Sequence, residues 1–145
     1  MNNTTSHTRV GLPALVLAAG LAALLSVSLQ ADDTDVAIHD AILMQIEAFA
    51  NDDDEAAWTY ASDGIKRRFG SADVFLSMVR EAYPAVHRPS SIEFVERVPH
   101  GPFEIQVVRL EGPQGKRWDA FYRMVLTKGV WKIAGVRLQP ADLGI

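Results

Sequence analysis

Between Ile38 and Ala82 the apolar residues recur every three or four positions, and beyond Pro89 they recur every second one. That change of period divides the chain into helices followed by strands. Ile38, Ile42, Ile46 and Phe49 form the first helical stripe, and Asp32 to Asp35 ahead of it offer N-caps and first-turn acids. Asn51 can cap a second helix with Asp52 to Asp54 at its positive end and Ala57, Trp58 and Tyr60 among its apolar residues. Ser62-Asp63-Gly64 stops it, and Ile65 with Phe69 fits one further turn before Gly70. Ser71 caps a third helix whose buried stripe is Val74, Phe75, Met78, Val79 and Ala82, ended by Pro84.

Four strand-like runs follow at 91–98, 103–111, 116–127 and 130–138, broken by Pro99-His100-Gly101-Pro102, Gly112-Pro113-Gln114-Gly115 and Lys128-Gly129. Loops this short join antiparallel neighbours. The expected fold is therefore α+β, with three N-terminal helices packed on a four-stranded antiparallel meander. Turn lengths suggest a register. Thr127 opposite Val130 sets Met124 against Ile133 and Tyr122 against Gly135. Glu111 opposite Lys116 sets Ile105 against Tyr122 and Arg109 against Trp118. Val98 opposite Phe103 sets Glu96 against Ile105 and Phe94 against Val107.

One face of that sheet gathers Phe94, Val98, Phe103, Ile105, Val107, Trp118, Tyr122 and Met124, and the helices must cover it. The other face pairs Arg97 with Glu104, Glu104 with Arg123, and Glu111 with Lys116, which supports the register. It also carries Phe121, Val125, Ala134, Val136 and Leu138, an apolar excess that suits a homodimer through the outer sheet face.

Leu12 to Leu29 is a run of 18 residues without a charge, followed by Gln30-Ala31 and the abrupt acids from Asp32. This is the layout of a secretory signal peptide, with cleavage expected near Ala31. The expected organisation is a leader over residues 1–31 and one domain over residues 32–145, exported to the periplasm or secreted. Uncleaved, the same run is just long enough to act as an N-terminal membrane anchor, the one membrane contact expected.

The whole chain has 145 residues, 48% of them hydrophobic, a formal net charge of -4 and no cysteine. The missing cysteines exclude disulfides, thiol nucleophiles and cysteine-ligated zinc. Neither the net charge nor any Lys/Arg stripe supports nucleic-acid binding. Ten of the 18 acids lie between Asp32 and Asp63, where no Lys or Arg occurs, so an acidic start faces a mildly basic remainder.

The segments QIEAFANDDDEAAWTYAS at 45–62, IKRRFG at 65–70, FLSMVREAYPAVHRP at 75–89 and FYRMVLTKGVWKIAGVRLQP at 121–140 resemble the domain-of-unknown-function 4864 family. That family belongs to the nuclear transport factor 2-like (cystatin-like cone) folds. The resemblance covers nearly all of residues 36–140, with the Tyr-Pro segment and the last hairpin its most specific parts. His87 departs from it, since the family often has Tyr there. The resemblance implies a curved sheet wrapped around helices with an apolar pocket between them, and it implies no activity.

The expected register puts Glu96, Arg109, Tyr122 and Arg137 on the helix-facing side, with Gly135 leaving room beside the Tyr122 phenol. In a pocket, Tyr122 would donate a hydrogen bond, Trp118 would stack, and Arg109 or Arg137 would receive an anionic head. A core tyrosine, arginines reaching out to solvent and a sheet bend at Gly135 account for the same residues. Tyr83, His87 and Arg88 leave the third helix where they can form a pocket rim or a plain connecting loop. Lys66-Arg67-Arg68 reads first as a solvated face, with an anion held beside the Ser71 helix start as the lesser alternative. Metal ligation is not expected, because His39, His87 and His100 lack ligand partners at helical spacing. No cofactor motif occurs. The expected function is non-catalytic binding of a small apolar or anionic ligand, or of a protein partner. An isomerase- or dehydratase-like reaction is the alternative, with Glu96 and Tyr122 as the acid–base pair.

Overall fold

The computed structural model describes residues 15–141, with side chains from residue 32 onward, so the proposed leader's side chains lie outside the described residues. Chain contacts separate two units, residues 1–33 and Thr34–Ile145. In the first, residues from Leu15 onward are helical. The second unit holds the sheet and the core.

Helix α1 runs Leu15–Ala50, so Asp32 to Asp35 lie inside a helix and do not cap one. Its expected stripe is buried as read: Ile38, Ile42, Ile46 and Phe49 are each at most 5% exposed. Helix α2 (Asp54–Thr59) is capped by Asp53 rather than Asn51, with the Ala56 N–H donating to Asp53 Oδ1 at 3.0 Å. Ser62 stands beyond the end of α2, as expected. It caps a separate helix, α3 (Asp63–Phe69), by accepting from the Ile65 N–H.

Helix α4 (Ala72–Ala82) buries Phe75, Leu76 and Val79 and leaves Val74 exposed, so its stripe is turned by about one position from the expected one. Pro84 ends α4 and starts a short helix α5 (Pro84–His87), where its fixed φ suits a first turn. The helical half thus has five helices among the described residues instead of three.

Strands β1 (Ser91–His100), β2 (Phe103–Glu111), β3 (Arg117–Thr127) and β4 (Val130–Pro140) pair antiparallel in sequence order, as expected. Their register differs. Between β3 and β4 the pairs Thr127–Val130 and Met124–Ile133 form as read, but a bulge then leaves Ala134 extra. Tyr122 consequently faces Val136, and Gly135 stands opposite Arg123. The β2–β3 turn takes five residues instead of four, with Gln114 and Gly115 at positive φ, so Glu111 faces Arg117, Arg109 faces Asp119 and Ile105 faces Arg123. In β1–β2 the turn tightens to Gly101-Pro102, His100 faces Phe103, and a bulge at Val95 lets Phe94 face Val108 while Glu96 faces Val107.

These shifts reverse β2. Gln106, Val108 and Leu110 face the helices, each at most 1% exposed, while Phe103, Ile105, Val107 and Arg109 face outward. The strand FEIQVVRLE is apolar in both phases, so its alternation does not choose between them. Arg97 and Glu104 do meet, at 3.0 Å, yet on the helix-facing side, where Arg97 also binds Asp35 of α1. Val136 and Leu138 likewise pack toward the core and leave the outer face narrower than expected.

The free edge of β4 is partly covered by the α2–α3 junction. The Ser62 N–H donates to the Ile133 carbonyl at 2.8 Å, and the Ile133 N–H donates to the Tyr60 carbonyl at 2.9 Å. Lys132 Nζ donates to the Thr59 carbonyl at 2.7 Å. This stitch satisfies an otherwise open strand edge and fixes α3 beside the bulge.

Candidate ligand cavity

A cavity of about 510 Å³ lies where α1, α3, α4 and the bulged part of β4 meet. Its β4 wall is four consecutive residues, Ile133, Ala134, Gly135 and Val136. A regular strand presents alternate residues to one side, so a continuous wall needs the bulge. Gly135 adds no side chain, and a Cβ built there meets no atom within 4 Å. Phe75 of α4 anchors the opposite wall. Its ring lies 6.1 Å from Phe49 and 5.6 Å from Phe69, both lining residues, and 5.7 Å from Trp58. Ile65, Met78, Val79 and Val86 complete an apolar interior.

Three polar side chains reach this surface. Gln45, 2% exposed, sits in the α1 stripe and donates its Nε2 to the Ala57 carbonyl at 3.1 Å. Tyr83 is half-buried at the junction of α4 and α5. Arg68 is exposed, with its guanidinium carbon 5.4 Å from the centroid of Phe69. Among the lining residues Arg68 carries the one formal charge, and no lining residue is a carboxylate.

His87 lies just outside the cavity. Its ring stands 6.2 Å from Phe49, and its Nε2 is buried without a hydrogen-bond partner, 4.0 Å from Asp52 Oδ1. Burial, and then the nearby Arg88 and Arg80, push the His87 pKa below its ordinary value, with Asp52 opposing them. Asp52 occupies the left-handed region (φ 53°), which Asp tolerates, and there it accepts from Arg80 at 3.0 Å and Arg88 at 2.9 Å.

The expected site residues are distributed more widely than their register implied. Gly135 and Tyr83 line the cavity. Arg109 lies on the outer face in a bidentate pair with Asp119, at 2.9 and 3.2 Å. Arg137 is also outward, over the Phe121 ring at 4.7 Å. Trp118 sits at the far end of the sheet under Lys116 Nζ, 4.1 Å from its centroid. Arg88 is engaged by Asp52 and lines neither cavity.

Tyr122 is 0% exposed, and its hydroxyl is buried without a hydrogen-bond partner. Burial raises its pKa well above the ordinary phenol range, which keeps the hydroxyl protonated.

Glu96 borders a second, smaller cleft of about 220 Å³ with Asp35, His39, Phe94, Arg97 and Gln106. There Gln106 Nε2 donates to the carbonyls of Glu96 (2.9 Å) and Val107 (3.0 Å), leaving Oε1 to accept from His39 Nε2 at 3.2 Å. The Gln106 amide thus fixes the His39 tautomer with its proton on Nε2. The His39 ring stacks on Phe94 at 3.8 Å. Among the described residues no cluster of His, Asp and Glu could hold a metal ion.

Sequence reasoning overlooked Gln45 and Gln106. Gln45 interrupts the apolar stripe of α1 between Ile42 and Ile46, a visible signal of a polar residue in a core position. Gln106 gave no such signal while β2 was read in the opposite phase.

Comparisons with known proteins bear on the fold and the family. A search of curated proteins gives no match. Among solved structures the chain is similar to a nuclear transport factor 2-like protein of unknown function from Silicibacter pomeroyi DSS-3. The two share 18% identity and a TM-score of 0.54, over 77% of this chain and 98% of that one. At that identity the likeness concerns the fold, helices followed by an open four-stranded antiparallel sheet. The family profile "Domain of unknown function (DUF4864)" matches residues 31–143, and the chain belongs to that family.

Proposed function

We propose that this domain binds a small, mostly apolar molecule in the cavity between α3, α4 and the bulge of β4, without chemistry of its own. The observation that carries this reading is the cavity itself. Protein interiors are close-packed, and about 510 Å³ bounded by a continuous strand wall and an aromatic cluster is in the size range of small-molecule sites. Its few polar groups are placed to orient a ligand rather than to exchange protons with it. The acid–base pair considered from sequence is not assembled, since Glu96 borders the second cleft while Tyr122 is enclosed in the core.

Ala82 tests the site, because it lines the cavity from an exposed position of α4. Ala82→Phe is expected to fill the mouth while changing stability by less than about 1 kcal/mol. Native mass spectrometry of protein purified from its own host then reads the result. A bound mass that is lost on denaturation and absent from Ala82→Phe supports the site. The same bound mass in both proteins places the ligand elsewhere.

Export belongs to the same proposal. It is supported by the charge-free run at 12–29 and by a family match that begins at residue 31. Intact mass of the exported protein should correspond to a chain starting near Asp32.

The outer sheet face supplies a second reading, a homodimer. The observed register brings Val98, Phe103 and Ile105 to that face, and Val98 is 44% exposed. Light scattering should then give twice the chain mass.

A further inference from the structure

We infer that the cavity's ligand is an amphipathic monoanion, a single alkyl chain ending in a carboxylate, with its head held by Arg68 at the mouth and its tail among Phe75, Met78 and Val79. The inference rests on the cavity-binding reading above and adds the chemistry of the occupant. Arg68 is exposed, Tyr83 half-buried and Gln45 2% exposed, so the lining runs from a charged mouth to an interior that is mostly apolar. The Arg68 guanidinium lies over Phe69, itself part of the wall, which places its charge at the rim of the apolar surface.

No acid among the described residues pairs with it. Asp52 is engaged by Arg80 and Arg88, and Asp119 by Arg109, while Arg68 makes no ion pair among the described residues. An unpaired guanidinium beside a carboxylate-free apolar cavity selects an anionic head on an apolar body. A single cation matches one negative charge. Lys66 is directed elsewhere, its Nζ lying 5.9 Å from the Trp58 centroid, and neither it nor Arg67 lines the cavity. That count favours a carboxylate, which a planar guanidinium can bind bidentately, over a doubly charged phosphate.

Decanoate and decanol share one chain and differ in the charge of the head, so calorimetric titration of each into the full chain separates the two claims. Decanoate is expected to bind about tenfold or more tightly than decanol, as a charge-assisted hydrogen bond allows. Arg68→Gln should bring decanoate down to the decanol affinity and leave decanol unchanged. Arg67→Gln, one residue away and outside the lining, should leave both unchanged. Circular dichroism verifies that each variant is folded. Equal binding of the two probes by the parent protein, or an undiminished preference in Arg68→Gln, overturns the head-group assignment while the cavity reading stands. Absence of binding by both probes overturns the cavity reading, and the inference with it.

Discussion

Two hollows among the described residues are opposite in chemistry. In the smaller cleft the polar groups answer one another: Arg97 is bound by Asp35 and Glu104, and Gln106 holds two carbonyls and His39. A ligand entering there must break bonds the protein already makes. In the larger cavity the walls are mostly apolar and Arg68 lacks an ion-pair partner among the described residues, so an anionic ligand can pair with it without breaking a salt bridge. Size alone does not separate a structural hollow from a binding site. What separates them is whether the polar groups are satisfied without a ligand.

The largest expected effect belongs to the self-satisfied side. Gln106→Ala removes a buried amide, leaves the carbonyls of Glu96 and Val107 without that donor and opens a void. It should cost roughly 2–4 kcal/mol in chemical denaturation, with affinity at the large cavity unchanged. If that variant keeps parental stability, the small cleft is not the structural network described.

An intermediate effect concerns the region beside the large cavity. His87 has a folded-state pKa below its ordinary 6.5, so the unfolded chain takes up a proton that the folded chain resists. Its contribution is fully present above 6.5 and is lost as pH falls through that value toward the depressed one. Thermal melts between pH ~7.5 and ~5.5 should show a decline that His87→Gln flattens. A parallel decline in both proteins assigns it to other groups.

The smallest effect is at Tyr122. Its hydroxyl has no partner to lose, so Tyr122→Phe should leave stability unchanged or raise it by about 1 kcal/mol. A marked loss would mean the hydroxyl is bonded after all.

How legible this was in the sequence depended on whether a residue's neighbours disagreed with it. The α1 stripe was clear because Ile38, Ile42, Ile46 and Phe49 share one helical phase between charged residues. The meander was clear because Gly and Pro punctuate it at short intervals. Strand β2 was not, because Ile105, Val107, Val108 and Leu110 make both faces apolar, and its phase was set by turn lengths that differ from the simplest ones. The cavity depends on a single extra residue, Ala134. Gly135 was the one sign of it, a strand glycine read both as a gap and as a bend. Arg68 stood within a basic run whose other members face elsewhere, and only the fold distinguishes it from them.

The central claim is that the large cavity is the binding site and the small cleft is structural. Backbone amide shifts followed during a decanoate titration address both halves at once. The expected result is saturable change at Phe75, Met78, Ala134, Gly135 and Val136, with His39, Phe94 and Gln106 unmoved. Saturable change confined to His39, Phe94 and Gln106 would contradict the account.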